Sequence, residues 1–196
     1  MFIGVDLDAV SRGAAADLLA RLREGSGPGV RWVRPEALHV TLRFLGNIAS
    51  EQVAPLRSSV AAAVSGLAPF RLGLGAVQHF PSPRRPRVVA LEVAPEAKLS
   101  ELAAAVERGA RDQGFEPDDR PFRAHLTLGR IKSGSGRAPA TRGLVAPPGA
   151  GCAVEEVVLF QSELRREGAR YTPLERMPLA GRRGGKTVSP LSTKER

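Results

Sequence analysis

The sequence predicts an α+β fold, and three observations lead there. β-rich runs alternate with helical runs in the order strand, helix, strand, helix, strands, helix, strands. Pro- and Gly-rich breaks separate these runs, and 196 residues suffice to bury one good core or two small packed lobes. A four-residue frame, His-apolar-Thr-Leu, occurs at 39–42 and again at 125–128, each time on a run with strand character that follows a helix or turn. The repeated frame suggests a duplicated half, although the two halves otherwise match too weakly to form a sequence repeat.

Taken in order, FIGVDL is a short strand bounded by Asp8, and SRGAAADLLARLRE has the Leu and Ala spacing of a helix that stops at GSGPG. RWVRPEALHVTLRFLG reads as an extended segment, a turn at Pro35-Glu36 and a strand. Ser50 is placed to cap a helix through SEQVAPLRSSVAAAV, where Pro55 is tolerated only near the first turns. Strands return around FRLGLGAV and PRVVALEV. The clearest helix is KLSELAAAVERGARDQG, with Leu99, Leu102, Ala103, Val106 and Ala110 on one face and Gly114 at its end. Residues 122–131 form the next strand, SGSGRAPATRG a loop, and AVEEVVLFQSEL with ARYTPLERMPL a closing hairpin. Residues 181–196, polar, Gly-rich and basic, lack an apolar face and are expected to be a disordered tail.

Composition narrows the function. Apolar residues make up 42% and charged residues 25%, with only seven Phe, one Trp and one Tyr, so a soluble protein with an aliphatic interior is expected. The single cysteine, Cys152, excludes an intrachain disulfide framework and a cysteine-built zinc site and suits a reducing compartment. No stretch has the ~20 apolar residues of a bilayer span, and the N-terminus lacks the cationic start of a signal peptide. A cytoplasmic protein without membrane contact is the expectation. The formal charge is +9, spread over the body as well as the tail, where Arg182, Arg183, Lys186, Lys194 and Arg196 face Glu195 alone. Such a surface suits a polyanion such as RNA.

Strand alternation then sorts the two frames. In HVTLRF, His39, Thr41 and Arg43 share one face while Val40, Leu42 and Phe44 share the other; in HLTLGR, His125 and Thr127 oppose Leu126 and Leu128. Strict parity puts Arg130 opposite His125 unless the strand bends near Gly129. Two imidazoles and two hydroxyls suit the opening of a cyclic phosphodiester. One histidine takes a proton from the attacking oxygen and the other gives one to the leaving oxygen, while threonine and arginine hold the nonbridging oxygens. A zinc site needs three protein ligands, and the third histidine, His79 in VQHFPSP, has no partner carboxylate pattern. Trp32, Phe44, Phe80 and Tyr171 are the candidates for stacking a terminal base. Parity puts Phe44 in the core, and Trp32 and Tyr171 have packing between lobes as their alternative role.

The paired frames, about 80 residues apart with a helix between, resemble the 2H phosphoesterase superfamily, specifically the RNA 2′,3′-cyclic phosphodiesterases also called 2′-5′ RNA ligases. RWVRPEALHVTLRFLGNI, RPRVVALEV, RPFRAHLTLGRI and LFQSELRREGARYTPLERMPL resemble that family's successive blocks, which together span about residues 1–179. The resemblance implies two pseudo-twofold-related α+β lobes in 1–180, each an antiparallel sheet with helices, around a central cleft. It implies metal-independent hydrolysis of a terminal 2′,3′-cyclic phosphate on RNA to a 2′-phosphate, with 2′-5′ ligation of tRNA halves as a companion activity. It also implies His39 and His125 as catalytic residues and Thr41 and Thr127 as phosphate contacts, with no metal and no cofactor. His39 is expected to act as acid and His125 as base. Arg130 stands where the family has a phosphate-contacting arginine and is ranked above Arg43, reversing the order that parity alone gives. A monomer is expected. The alternatives are a 2H enzyme acting on a small cyclic nucleotide or ADP-ribose cyclic phosphate, and a non-catalytic protein that binds RNA ends.

Overall fold

The structure, a computed structural model, describes residues 1–118, 120–132, 138–165 and 168–181. The predicted tail lies outside the described residues beyond Gly181, as does the start of the SGSGRAPATRG loop, residues 133–137. Strand β1, Phe2–Asp6, leads into helix α1, Ala9–Glu24, whose start is fixed by Asp8: its Oδ1 accepts from the Ser11 amide at 2.7 Å. Strand β2, Val30–Trp32, a 3₁₀ turn at Pro35–Ala37 and strand β3, His39–Phe44, follow. Helix α2, Ser50–Val64, begins one residue earlier than its expected cap implies. Ala49 holds the cap position, its amide donating to Gln52 Oε1 at 3.0 Å, so Ser50 is the first helical residue.

Strands β4, Phe70–Phe80, and β5, Val88–Ala94, precede helix α3, Glu96–Arg111, which buries the predicted Leu99, Leu102, Ala103, Val106 and Ala110. Gly114, at φ +79°, turns the chain out of it. Strand β6 is Leu126–Ile131, shorter at its start than the predicted 122–131, because 115–124 takes an irregular path beside β3. Strands β7, Gly151–Val154, β8, Glu156–Arg165, and β9, Gly168–Pro178, complete the chain, the last two pairing as the predicted hairpin.

All nine strands found among the described residues join one antiparallel sheet, in the order β7-β4-β5-β6-β3-β1-β8-β9, with β2 added to β6. That order has a centre. On one side β3-β1-β8-β9 run outward, and on the other β6-β5-β4-β7 do the same, so the unit β1-α1-β3 is matched by β5-α3-β6. The two inner strands β3 and β6 pair at one position, Val40 with Leu126, and β2 adds three more rungs on β6 at Val30, Arg31 and Trp32. Beneath the sheet a single aliphatic core unites the two halves, from Ile3, Val5 and Leu19 to Leu91, Leu102 and Leu126. Helices α2 and α3 press together there. A β-carbon on Gly109 would lie 2.8 Å from Val60 Cα, so only glycine permits this approach. Cys152 is buried in the same core, where burial raises its pKa.

Candidate active site

Each frame sits on an innermost strand, and each strand carries a bulge. In β3, Thr41 pairs with Gly4 and Arg43 with Ile3, leaving Leu42 as an extra residue. In β6, Thr127 pairs with Ala90 and Gly129 with Val89, leaving Leu128 extra. A bulge resets alternation by one. From Val40 and from Leu126 the same burial sequence follows: buried, partly buried, buried, buried, exposed. His39, Thr41 and Phe44 therefore share a face, and so do His125, Thr127 and Arg130.

This corrects the parity reading of Arg43 and Phe44. Arg43 turns to the helix side, where its Nε lies 2.8 Å from Glu107 Oε2 and its Nη2 donates to the Glu116 carbonyl, with Asp118 at 3.8 Å. It is 7% exposed and fastens the irregular 115–124 segment to α3 and β3, on the face away from the histidines. Phe44, expected in the core, is 50% exposed on the histidine face. Arg130 gains the position that alternation alone denied it. Its charge bears on His39, His125 and Tyr171 alike, lowering the pKa of each.

The two histidines are held in the same way. His39 Nδ1 lies 2.8 Å from the Ala37 carbonyl and His125 Nδ1 lies 2.8 Å from the Arg123 carbonyl, each two residues upstream. A carbonyl only accepts, so Nδ1 carries the proton in both rings and Nε2 is left for chemistry. Their surroundings differ. His39 stacks on Phe2 at 4.5 Å between ring centroids, meets Tyr171 edge-on at 5.0 Å, and receives the Thr41 hydroxyl at Nε2 over 2.8 Å. His125 stacks on Phe80 at 4.3 Å, with the Arg123 guanidinium 4.5 Å from the same ring. No Thr127 contact to its Nε2 is found among the described residues.

Burial pushes the His39 pKa down to about 4, against the Ala37 carbonyl and Asp6, which favour the proton; Arg12 and Arg130 add to the lowering. Burial also lowers His125, helped by Arg130 and Arg123. Both imidazoles are thus neutral in the free protein at neutral pH. Arg12 sets the approach to His39. Its Nη1 donates to the Pro35 and Leu38 carbonyls at 3.1 and 3.0 Å, and its Nη2 to Asp6 Oδ1 at 2.5 Å and the Leu7 carbonyl at 3.1 Å, tying the turn before β3 to the end of β1. Gly4, opposite Thr41, leaves room under the ring. A β-carbon there would meet the Val40 carbonyl at 2.7 Å and His39 Cδ2 at 3.5 Å.

Sequence reasoning overlooked Phe2, Gly4 and Arg12. The alternation of FIGVD carried a signal: Phe2, Gly4 and Asp6 share the face opposite Ile3 and Val5, an odd mixture for solvent. Of the four stacking candidates, Phe80 and Tyr171 contact the histidine rings, and Trp32 packs on the helix side over Gly129, its Cε3 2.6 Å from where a β-carbon would stand. His79 lies on β4 and meets the Pro139 carbonyl at 3.0 Å. No group of three or more His, Cys, Asp or Glu side chains suited to a metal is found among the described residues.

Two histidine frames on matched strands invite comparison with proteins built on the same plan. The sequence signature of the "LigT like Phosphoesterase" family matches residues 5–90 and 91–171, one frame in each segment. The chain belongs to the LigT-like phosphoesterases. Among curated relatives of this LigT-like chain, an RNA 2′,3′-cyclic phosphodiesterase of Archaeoglobus fulgidus is 37% identical over 132 residues, 67% of this chain and 72% of that one. The crystal structure of TT0787 of Thermus thermophilus matches with a TM-score of 0.77 at 30% identity, covering 93% of this chain and 98% of that one. E. coli LigT complexed with 3′-AMP matches at 0.71 and 29% identity, covering 91% and 96%. The two LigT-like halves are therefore an α+β arrangement shared with solved phosphoesterases. No described helix is long and apolar enough to cross a membrane.

Proposed function

We propose that this phosphoesterase hydrolyses a 2′,3′-cyclic phosphate at the end of an RNA chain to a 2′-phosphate. The observation that carries this reading is the pair of imidazoles on one face, each with Nδ1–H tied to a carbonyl and Nε2 turned away from it, toward Thr41 in His39, with the charge of Arg130 acting on both. The names of the curated relatives support the substrate. In the reaction His125 Nε2 takes a proton from water as its oxygen bonds to phosphorus. The P–O3′ bond breaks, and protonated His39 gives its Nε2 proton to O3′. Thr41, Thr127 and Arg130 hold the nonbridging oxygens, where the arginine offsets the charge that develops. Free His39 is a poor proton holder, so the anionic substrate supplies the field that loads it. A 5′-hydroxyl in place of water turns the same displacement into 2′-5′ ligation, the reaction that would join tRNA halves. We read the enzyme as a cytoplasmic monomer working without metal or cofactor.

The test is hydrolysis of an oligoribonucleotide with a 2′,3′-cyclic phosphate end, in EDTA. Wild type turns it over, and His39→Ala and His125→Ala each lose roughly 10²–10⁴-fold in kcat. Loss of wild-type activity in EDTA overturns the metal-free mechanism, and a single mutant near full rate overturns the two-histidine assignment. Binding without turnover makes the protein a holder of RNA ends. Turnover of ADP-ribose cyclic phosphate or a cyclic mononucleotide alone moves the substrate to small molecules.

A further inference from the structure

Beside the histidines lies a pair of arginines that the reaction as written does not use in full. Strand β2 pairs with β6 so that Arg31 stands directly opposite Arg130, Val30 opposite Ile131, and Trp32 opposite Gly129. Directly paired residues project to the same face. The other face confirms the sorting, since a β-carbon on Gly129 would meet Trp32 Cε3 at 2.6 Å and Val30 Cγ1 at 2.7 Å on the helix side. Arg31 and Arg130 thus extend together over the histidine face, both exposed. Neither is in an ion pair among the described residues. Like charges directly across a strand pair destabilise the sheet, so an arginine pair left uncompensated marks a place for an anion.

One cyclic phosphate occupies Arg130. The next negative charge on an RNA chain is the phosphodiester on the 5′ side of the terminal ribose, one nucleotide away. Cross-strand neighbours stand about 4.5–5.5 Å apart at their β-carbons, and two long guanidinium stems easily span adjacent phosphates. The matched half offers no equivalent: counting back eight residues from His125, as Arg31 stands from His39, gives Pro117. We propose that Arg31 is a second phosphate contact, which grips the internucleotide phosphate next to the reacting end and makes the enzyme favour RNA ends over cyclic mononucleotides. This rests on the RNA-end reading above.

Steady-state kinetics on two substrates test it: cytidine 2′,3′-cyclic phosphate, and a ribotrinucleotide ending in the same group, with wild type, Arg31→Ala and Arg31→Lys over a range of salt. Arg31→Ala is expected to raise KM for the trinucleotide about tenfold at unchanged kcat, and to flatten the slope of log(kcat/KM) against log salt by about 0.7. The mononucleotide KM stays as it was, and Arg31→Lys keeps most of the trinucleotide affinity. Equal losses on both substrates, or none on either, overturn the assignment. Failure of the RNA reading shows separately, in a wild type that turns over the mononucleotide alone or neither substrate.

Discussion

Around His39 the neighbouring side chains are aromatic, with Phe2 and Tyr171 on the ring, Phe160 5.1 Å from Phe2, and Phe44 at the rim. Around His125 one aromatic ring, Phe80, is joined by cations: Arg123, Arg130 and, across the strand, Arg31. The backbones differ little. Both rings hang from a carbonyl two residues upstream, both strands bulge after the threonine, and Phe44 occupies in one the place that Arg130 takes in the other. A duplicated scaffold has been dressed twice. The comparison teaches that the site has two unlike ends, one more aromatic and one more cationic, which under the proposed reaction would face the sugar and base and the phosphate respectively.

The sharpest way to break that division is to exchange its markers. Arg130→Ala should lower kcat by about 10²–10³-fold, the scale of losing one transition-state charge contact, with partial recovery in Arg130→Lys. Phe44→Ala should instead raise KM by about tenfold or less and leave kcat nearly intact, as loss of a stacking surface does. If Phe44→Ala cut kcat as deeply as Arg130→Ala, the two ends would not be distinct. Next in size is Arg43, which has the wrong face for either role. Arg43→Ala should leave kcat within about twofold at permissive temperature, while calorimetry or denaturant melts register a loss of about 2 kcal/mol. That is less than a fully buried pair, because Glu107 and Asp118 remain partly in water.

Titration separates the halves more gently. By NMR, His39 should take its proton near pH 4 and His125 below the ordinary histidine value. The pH profile of kcat/KM reports the free enzyme, so its bell should centre on the acid side of 6.5. The profile of kcat should shift to higher pH, since the bound phosphate favours both imidazolium forms. A His39 midpoint at the ordinary histidine value would contradict its burial. Stability follows the same sign. The unfolded chain protonates His39 near 6.5 and the folded one near 4, so the contribution is whole above 6.5 and is lost as pH falls towards 4. A further effect is expected at Gly4. Gly4→Ala must shift the Val40 carbonyl and should lower activity severalfold through His39 alone, sparing the His125 titration.

Much of this was legible beforehand. The alternation of HVTL and HLTL sent His39 with Thr41 and His125 with Thr127 to common faces, and α3 and the closing hairpin followed their patterns. Arg43, Phe44 and Arg130 did not follow, for one physical reason. A bulge adds a residue without changing composition, so HVTLRF looks like six residues of regular strand whether or not Leu42 is extra. Only Gly129 hinted at the irregularity, and its own reason, the Trp32 indole lying over it, depends on a strand pairing from a distant stretch of chain. Ala49 at the start of α2 was hidden likewise, since Ser50 is the better cap by its side chain and Gln52 supplied the missing partner from inside the helix.

The two strands that carry the histidine frames pair directly only at Val40 and Leu126, with β2 joining β6 further along, and this has a mechanical consequence. One direct rung between β3 and β6 is a poor ruler, and two imidazoles proposed to act on one phosphate need their gap held to a fraction of an ångström. What holds it is the filling beneath, where α2 and α3 touch at Val60 and Gly109 and one aliphatic mass runs under both halves. Protein interiors resist compression almost as organic crystals do. The distance between acid and base is therefore a matter of volume. A methyl group added or removed between the helices alters the spacing of the two imidazoles from a depth that no substrate reaches.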